Sequence, residues 1–285
     1  MKTWRVIDLI QWTTEYFERH DIPTPRLDAE LLLGHLLQKS RLQLYLHFET
    51  PVFQEQLSAF RELVKKRVEH TPVSYLTNHR EFMSLNFYVD RRVLIPRPET
   101  EILVETVLQG QKGTCRLIDI GAGSGAIAIS LAVNRPDWEI LATDLSPEAL
   151  EVTQQNAALH HCEERLTFLQ GDLFEPVQEL ENRRFDWIVS NPPYVSTEDF
   201  PTLSPDVREH EPEMALIAGC DGLNIIRRLV ADAPRFLNPH GKLIMEIGYN
   251  QSDDVQKLIQ SHPAYNECQV IKDYSGIERV IIASL

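Results

Sequence analysis

From Gly113 to the end of the chain, short runs rich in Val, Ile and Leu alternate with longer stretches whose apolar residues recur at helical spacing. Few folds accommodate that order. Strands are predicted at residues 116–120, 139–143, 166–170, 187–190, 242–247 and 280–283, and helices at 125–133, 147–159, 223–236 and 252–262. A strand that returns to its sheet through a helix pairs in parallel, so the segment predicts an α/β fold with a doubly wound parallel sheet. In such sheets ligands bind beyond the carboxyl ends of the strands. The sequence has no internal repeat and no low-complexity tract.

The preceding part reads differently. Leu9, Ile10, Trp12, Tyr16 and Phe17, then Ala29, Leu31, Leu32, Leu33, Leu36 and Leu37, then Phe53, Leu57, Phe60, Val64 and Val68 recur at helical spacing. Breaks fall at Asp21-Ile22-Pro23-Thr24-Pro25 and Glu49-Thr50-Pro51. Residues 1–75 are therefore expected to form a small helical bundle. Residues 76–96 are expected to form a β-hairpin linker, from β-prone Phe82, Leu85, Phe87, Val89, Val93, Leu94 and Ile95, with Asp90-Arg91-Arg92 as the turn. Residues 97–285 make the second domain. It opens with Pro96 and Pro98 before a helix whose first turn carries Glu99 and Glu101, where the helix dipole favours carboxylates.

The net charge is −14, and residues 1–81 hold equal numbers of basic and acidic side chains, so the excess acid lies entirely in the second part. A phosphate backbone would be repelled there; no direct nucleic-acid partner is expected. Cys115, Cys162, Cys220 and Cys268 form no CxxC pair, which suggests neither a zinc site nor a disulfide framework. The first residues lack a leader-like apolar segment, and no run approaches membrane-spanning length. A cytoplasmic, monomeric protein without membrane attachment is expected.

The first predicted strand ends in Asp119-Ile120-Gly121-Ala122-Gly123-Ser124-Gly125, where a helix begins. Such a turn brings backbone amides close to a ligand, although by itself it could be a tight turn and nothing more. Asp144 closes the second strand at the distance where a carboxylate accepts both ribose hydroxyls, which points to a nucleoside cofactor. Gly171-Asp172-Leu173 follows the third strand and Asn191-Pro192-Pro193-Tyr194 the fourth, on the same rim. Proline at Pro192 and Pro193 restricts the backbone around Asn191. The Asn191 side-chain oxygen and the Pro192 carbonyl can each accept one N–H of a planar amine. Tyr194 would lie against its flat face. That pocket suits an amide or a nucleobase equally.

The glycine turn, with its preceding acid, resembles that of class I S-adenosylmethionine methyltransferases. In that family an acid lies near the adenine amino group and the next residue against the ring, which here implies Asp172 and Leu173. Over nearly its whole length the chain resembles the peptide-chain release factor glutamine methyltransferases, the HemK/PrmC family. The resemblance rests on Pro25-Arg26-Leu27-Asp28-Ala29-Glu30, Pro72-Val73-Ser74-Tyr75-Leu76-Thr77, Arg80-Glu81-Phe82, Leu94 through Glu101, Glu211-Pro212 and Asp221-Gly222-Leu223. Family usage has glycine where this chain has Asn78. The resemblance implies a seven-stranded Rossmann-like methyltransferase sheet and S-adenosylmethionine as methyl donor, with S-adenosylhomocysteine as product. It implies cofactor binding by Asp119, Gly121 through Gly125, Asp144, Asp172, Leu173 and Asn191, and substrate binding by Asn191, Pro192, Pro193 and Tyr194, with catalysis by Asn191, Pro192 and Tyr194. The implied substrate is the glutamine of the Gly-Gly-Gln loop of class 1 release factors, methylated on its side-chain nitrogen; no metal is implied. Two rival readings stay open: a nucleic-acid methyltransferase acting on an exocyclic amine of adenine or guanine, and a non-catalytic cofactor-binding scaffold.

Overall fold

A computed structural model describes residues 4–285; Met1, Lys2 and Thr3, part of the stretch read for a leader, lie outside the described residues. The chain folds as two compact units. One takes in the chain up to His79 together with Ser204–His210; the other holds Arg80–Leu203 and Glu211–Leu285. The predicted bundle stops at residue 75, but its last helix runs past that point.

The first unit contains α1 (Val6–Glu18), α2 (Pro25–Leu37), α3 (Arg41–Leu46), α4 (Gln54–Val68) and α5 (Val73–Thr77). Its core includes Ile10, Phe17, Ala29, Leu32, Leu33, Phe60 and Val64, drawn from the stripes the sequence displays, together with Val6 and Leu44 from outside them. Pro25 opens α2 at a position where its missing N–H costs nothing. Two acids of α2 are buried yet fully partnered. Glu30 accepts from Arg26, Arg41 and the Tyr45 hydroxyl at 2.7–2.9 Å, and Asp28 accepts from Arg67 Nε at 2.7 Å. Arg67 also pairs at 2.9 Å with Asp206, in the short helical turn Pro205–Arg208 that a distant part of the chain contributes to this unit. At the end of α5, Asn78 adopts the left-handed conformation, φ 50° and ψ 38°, that the family's glycine would adopt freely.

The second unit opens with a hairpin, β1 (Arg80–Phe82) paired antiparallel with β2 (Leu85–Phe87). Its turn is Met83-Ser84, both left-handed, as a two-residue hairpin loop demands. Asp90-Arg91-Arg92 is not that turn. The Asp90 carboxylate instead receives the Arg92 N–H and guanidinium, and Val93, Leu94 and Ile95 form no strand. Val93 and Leu94 wall a cavity described below, which supplies the burial their apolar character requires.

Next come α6 (Glu101–Gly110), β3 (Arg116–Ile120), α7 (Ala126–Asn134), β4 (Glu139–Asp144), α8 (Pro147–Leu159), β5 (Leu166–Gln170) and β6 (Phe185–Ser190). They are followed by α9 (Asn224–Asp232), β7 (Leu237–Glu246), α10 (Ser252–Ser261), β8 (Glu267–Lys272) and β9 (Glu278–Ser284). The sheet order is β5-β4-β3-β6-β7-β9-β8. From β3 the chain winds outward through β4 and β5, then restarts on the other side with β6, so the sheet is doubly wound and strand order reverses between β3 and β6. It is not wholly parallel: β9 runs antiparallel to both β7 and β8. Strand β8, absent from the sequence reading, is an edge strand with no fully buried residue, so it carries little hydrophobic signature. Helix α7 is buried from Ala126 through Ala132, which explains its apolar character on every face.

The Asp28–Arg67 pair is fully desolvated, so removing one partner strands a buried charge. Arg67→Ala is expected to lower unfolding stability by about 3–5 kcal/mol, read as a shift in the urea midpoint. An exposed ion pair such as Lys257–Asp254, truncated in the same way, should leave the midpoint nearly unchanged.

Candidate active site

A cavity of about 180 Å³ opens at the switch point, where the carboxyl ends of β3, β4, β5 and β6 converge. Gly121, Ala122, Gly123, Ser124, Asp144, Asp172, Leu173, Asn191, Pro192 and Pro193 line it, together with Arg92, Val93, Leu94, Pro96 and Thr100. Gly121 and Gly123 have φ of 78° and 57°, and a Cβ built on either meets nothing within 4 Å. Both therefore leave open a cradle that side chains would fill. Gly125 is different. A Cβ there would lie 2.6 Å from Ile129 and 2.8 Å from Thr153, so this glycine serves the packing of α7 and does not line the cavity.

Asp144 fixes the cradle's shape. One carboxylate oxygen accepts the Gly123 N–H at 2.8 Å, the other the Ser146 N–H at 2.9 Å. Burial raises its pKa, and the backbone donors oppose that rise. Each oxygen keeps lone-pair capacity for a further donor such as a ribose hydroxyl. Asp172 is held by Arg228 at 2.7 Å, and Leu173 stands beside it with a left-handed φ of 50°. Asn156 is fully buried and bridges the Tyr88 backbone to the carbonyl of Ser124 at 2.7–2.9 Å, tying the segment after the hairpin to the turn. No local pattern marks it, because a buried asparagine inside an amphipathic helix looks like any polar residue.

Asn191 reaches the same cavity from the end of β6. Its Nδ2 donates to the Thr100 hydroxyl at 3.1 Å, and that hydroxyl donates to Glu246 Oε2 at 2.5 Å. Glu246, the last residue of β7, also accepts the Tyr194 hydroxyl at 3.0 Å. Tyr194 does not line the cavity with the glycine turn. It lines a larger neighbouring cavity of about 700 Å³, beside Gln251, Leu223 and Arg279. Its carbonyl accepts Gln251 Nε2 at 2.9 Å, and burial raises the phenol's pKa further above its ordinary value. Gly222 approaches that carbonyl so closely that a Cβ would lie 2.2 Å away, which explains the glycine in Asp221-Gly222-Leu223. The smaller cavity, with its cradle, paired acids and open amide, is the one equipped for chemistry. Glu211 stands under its rim: it accepts the Ile95 N–H at 3.2 Å and pairs with Arg97 at 2.6 Å, ordering the segment that leads to Pro96.

Asp119 is also off the cavity wall. It lies beneath the turn with no exposed surface, one oxygen accepting the Ala128 N–H at 3.1 Å and the other without a partner among the described residues. Burial pushes its carboxyl up to about 7, with the nearby Asp144 charge adding to the rise. The folded pKa exceeds the unfolded one, so the stability this proton confers is full below about pH 4. It declines as pH rises and is lost above about 7. Asp119→Asn carries no such proton. Its unfolding free energy relative to wild type should therefore climb between about pH 4 and pH 7 and level off above, in denaturant titrations at stepped pH.

The PrmC N-terminal domain family matches residues 8–77 and the methyltransferase small domain family residues 98–203. The release factor glutamine methyltransferase of Rhodopirellula baltica is 40% identical over 98% of this chain and 95% of its own length. That of Geobacter sulfurreducens is 40% identical over 98% and 96%. Among solved structures, the hMettl16 catalytic domain in complex with MAT2A 3′UTR hairpin 6 matches 76% of this chain and 81% of its own at a TM-score of 0.59 and 15% identity. A methyltransferase from Pyrococcus furiosus matches 70% and 88% at 0.51 and 18%. At those identities the structural likeness concerns the fold alone. With two full-length relatives at 40% identity, this chain belongs to the release factor glutamine methyltransferase family.

Proposed function

We propose that this protein transfers the methyl group of S-adenosylmethionine to the side-chain amide nitrogen of the glutamine in the Gly-Gly-Gln loop of class 1 peptide-chain release factors. The observation that carries the reading is the state of Asn191. Its Nδ2 is engaged by Thr100, and its Oδ1, which receives no hydrogen bond from any described residue, is left for a ligand in a cavity shared with the glycine cradle.

An amide nitrogen is a poor nucleophile because its lone pair is delocalised. In this reading Asn191 Oδ1 and the Pro192 carbonyl each accept one N–H of the substrate amide, which leaves the lone pair directed along the cavity. Both bonds strengthen as the nitrogen gains positive charge, so they favour the transition state over the ground state. The proton can leave after transfer, and no ionised base is needed beforehand. Pro192 and Pro193 hold these acceptors with little backbone freedom. S-adenosylmethionine, when bound, supplies the electrophilic methyl carbon. Gly121 through Ser124 would cradle it, Asp144 would accept its ribose hydroxyls, and Asp172 and Leu173 would meet the adenine; Asp119 and Gly125 act from beneath the turn. Tyr194, its hydroxyl given to Glu246, braces the tetrapeptide. The acidity of the chain disfavours a phosphate-bearing substrate.

Incubation with labelled S-adenosylmethionine should place label on a purified release factor and not on the same factor with its loop glutamine replaced. Label on rRNA or DNA alone would overturn the reading. Asn191→Ala should lower kcat at least about a hundredfold while the S-adenosylmethionine dissociation constant, measured by calorimetry, changes by less than about threefold.

A further inference from the structure

The side chain of Asn191 raises a question that its backbone does not answer. A carboxamide can rotate by half a turn about its last bond, exchanging oxygen for NH₂ at small steric cost. Only one orientation accepts a substrate N–H. The flipped one presents hydrogens to hydrogens. Pro192 restricts the backbone around Asn191 and has no hold on that rotation.

We propose that Thr100 and Glu246 are positioning residues that fix the polarity of the Asn191 amide, keeping its oxygen toward the cavity. The inference rests on the methyl-transfer reading above and adds to it. It follows from a count of protons. Glu246 is 1% exposed, beyond the reach of bulk water; burial raises its pKa, while the two hydroxyls and the nearby Arg279 favour its charged form, and in that form it can only accept. Its two oxygens face two hydroxyls, Tyr194 at 3.0 Å and Thr100 at 2.5 Å, each of which has a single hydrogen to give. Once the Thr100 hydrogen is committed to Glu246, the Thr100 oxygen can offer Asn191 nothing but a lone pair. Asn191 must then turn its NH₂ toward Thr100, as it does at 3.1 Å, and its Oδ1 toward the ligand. Thr100 is 4% exposed, so no solvent competes for either bond.

The three residues come from different elements. Asn191 follows β6, Glu246 ends β7, and Thr100 closes the 3-10 turn Pro98–Thr100 ahead of α6. Parallel pairing brings the first two together, because Ser190 and Met245 are register partners and the next residue on each strand is Asn191 and Glu246. Thr100 is held over them by the start of α6, where Glu101 anchors the backbone N–H of Met83 at 2.7 Å. A negative carboxylate at the end of this chain of hydroxyl and amide also polarises the Asn191 oxygen outward, which strengthens it as an acceptor.

The test compares Thr100→Val, which keeps shape and removes the hydroxyl, with Thr100→Ser, which keeps the hydroxyl and removes a methyl. Steady-state methylation of the release factor, S-adenosylmethionine binding and thermal midpoint are measured for each. Thr100→Val should lose about tenfold or more in kcat, with KM for the release factor and cofactor affinity within about twofold of wild type. Thr100→Ser should restore most of kcat. A merely structural role would instead lower the thermal midpoint of both variants and leave the kcat of the folded fraction unchanged. If Thr100→Val does not fold, Thr100→Ala against Thr100→Ser makes the same comparison. The proposal is overturned if the hydroxyl-free variant keeps wild-type kcat, or if the serine variant is as impaired as the valine. Failure of wild type to label the release factor at all would instead overturn the methyl-transfer reading.

Discussion

Ile120 and Ser190 are register partners in the parallel pair β3–β6, and the Ser190 hydroxyl closes on the Ile120 carbonyl at 2.7 Å. One residue beyond each, the chain enters the glycine cradle on one strand and the Asn191 tetrapeptide on the other. Everything chemical in the molecule hangs on that adjacency. Because the strands run the same way, both segments must emerge at one edge of the sheet. Because strand order reverses there, the helices that follow diverge and leave a crevice. A one-residue slip would turn every side chain of β6 to the opposite face and part the Ser190 hydroxyl from the Ile120 carbonyl.

Four acids surround this edge, and the protein treats each differently. Glu211 is neutralised by Arg97 and a backbone N–H. Asp144 is satisfied by backbone amides of the turn it shapes. Asp119 has one partner and stays largely protonated below about 7. Glu246 receives only neutral hydroxyls, although burial raises its pKa. The distinction bears on function. An ion pair cancels its own field, whereas an ionised acid held by neutral backbone donors, as Asp144 is on the cavity wall, leaves a negative potential there, one that favours a cationic sulfonium over a polyphosphate.

What could be read from the sequence follows from how local each signal is. The strand cores at 116–120 and 166–170 and the helix at 147–159 coincide with the structure, because apolar period and a Ser146-Pro147 start are properties of neighbouring residues. That the Gly121–Ser124 turn, Asp144 and Asn191 share one rim of the sheet follows from the same local signals. Hairpin geometry was not. Met83-Ser84 carries no glycine or asparagine to advertise its left-handed turn, while Asp90-Arg91-Arg92 carries turn-like polarity that it spends on an internal ion pair. Val93 and Leu94 have the composition of a strand because a cavity wall and a sheet both demand apolar residues. Edge strand β8 hid behind Glu267, Gln269 and Lys272, whose exposure the sheet edge permits. The antiparallel direction of β9 was invisible because direction is a property of the connection, and α10 and β8 together supply it.

Asn191 marks the boundary between local and non-local information most sharply. Its neighbours Pro192 and Pro193 fix the backbone, and any reader of the tetrapeptide can infer a rigid turn from them. Orientation of the amide is decided elsewhere, by a hydroxyl 91 residues earlier in sequence and a carboxylate on another strand. Proline can reduce conformational entropy, but it cannot distinguish an oxygen from a nitrogen; only a donor and acceptor arrangement with its own fixed polarity can. A buried carboxylate is the simplest source of such polarity, since it has no proton to give. Glu246, 1% exposed at the end of β7, stands in that place, and Thr100, with one hydrogen and spare lone pairs, can pass its polarity to the amide.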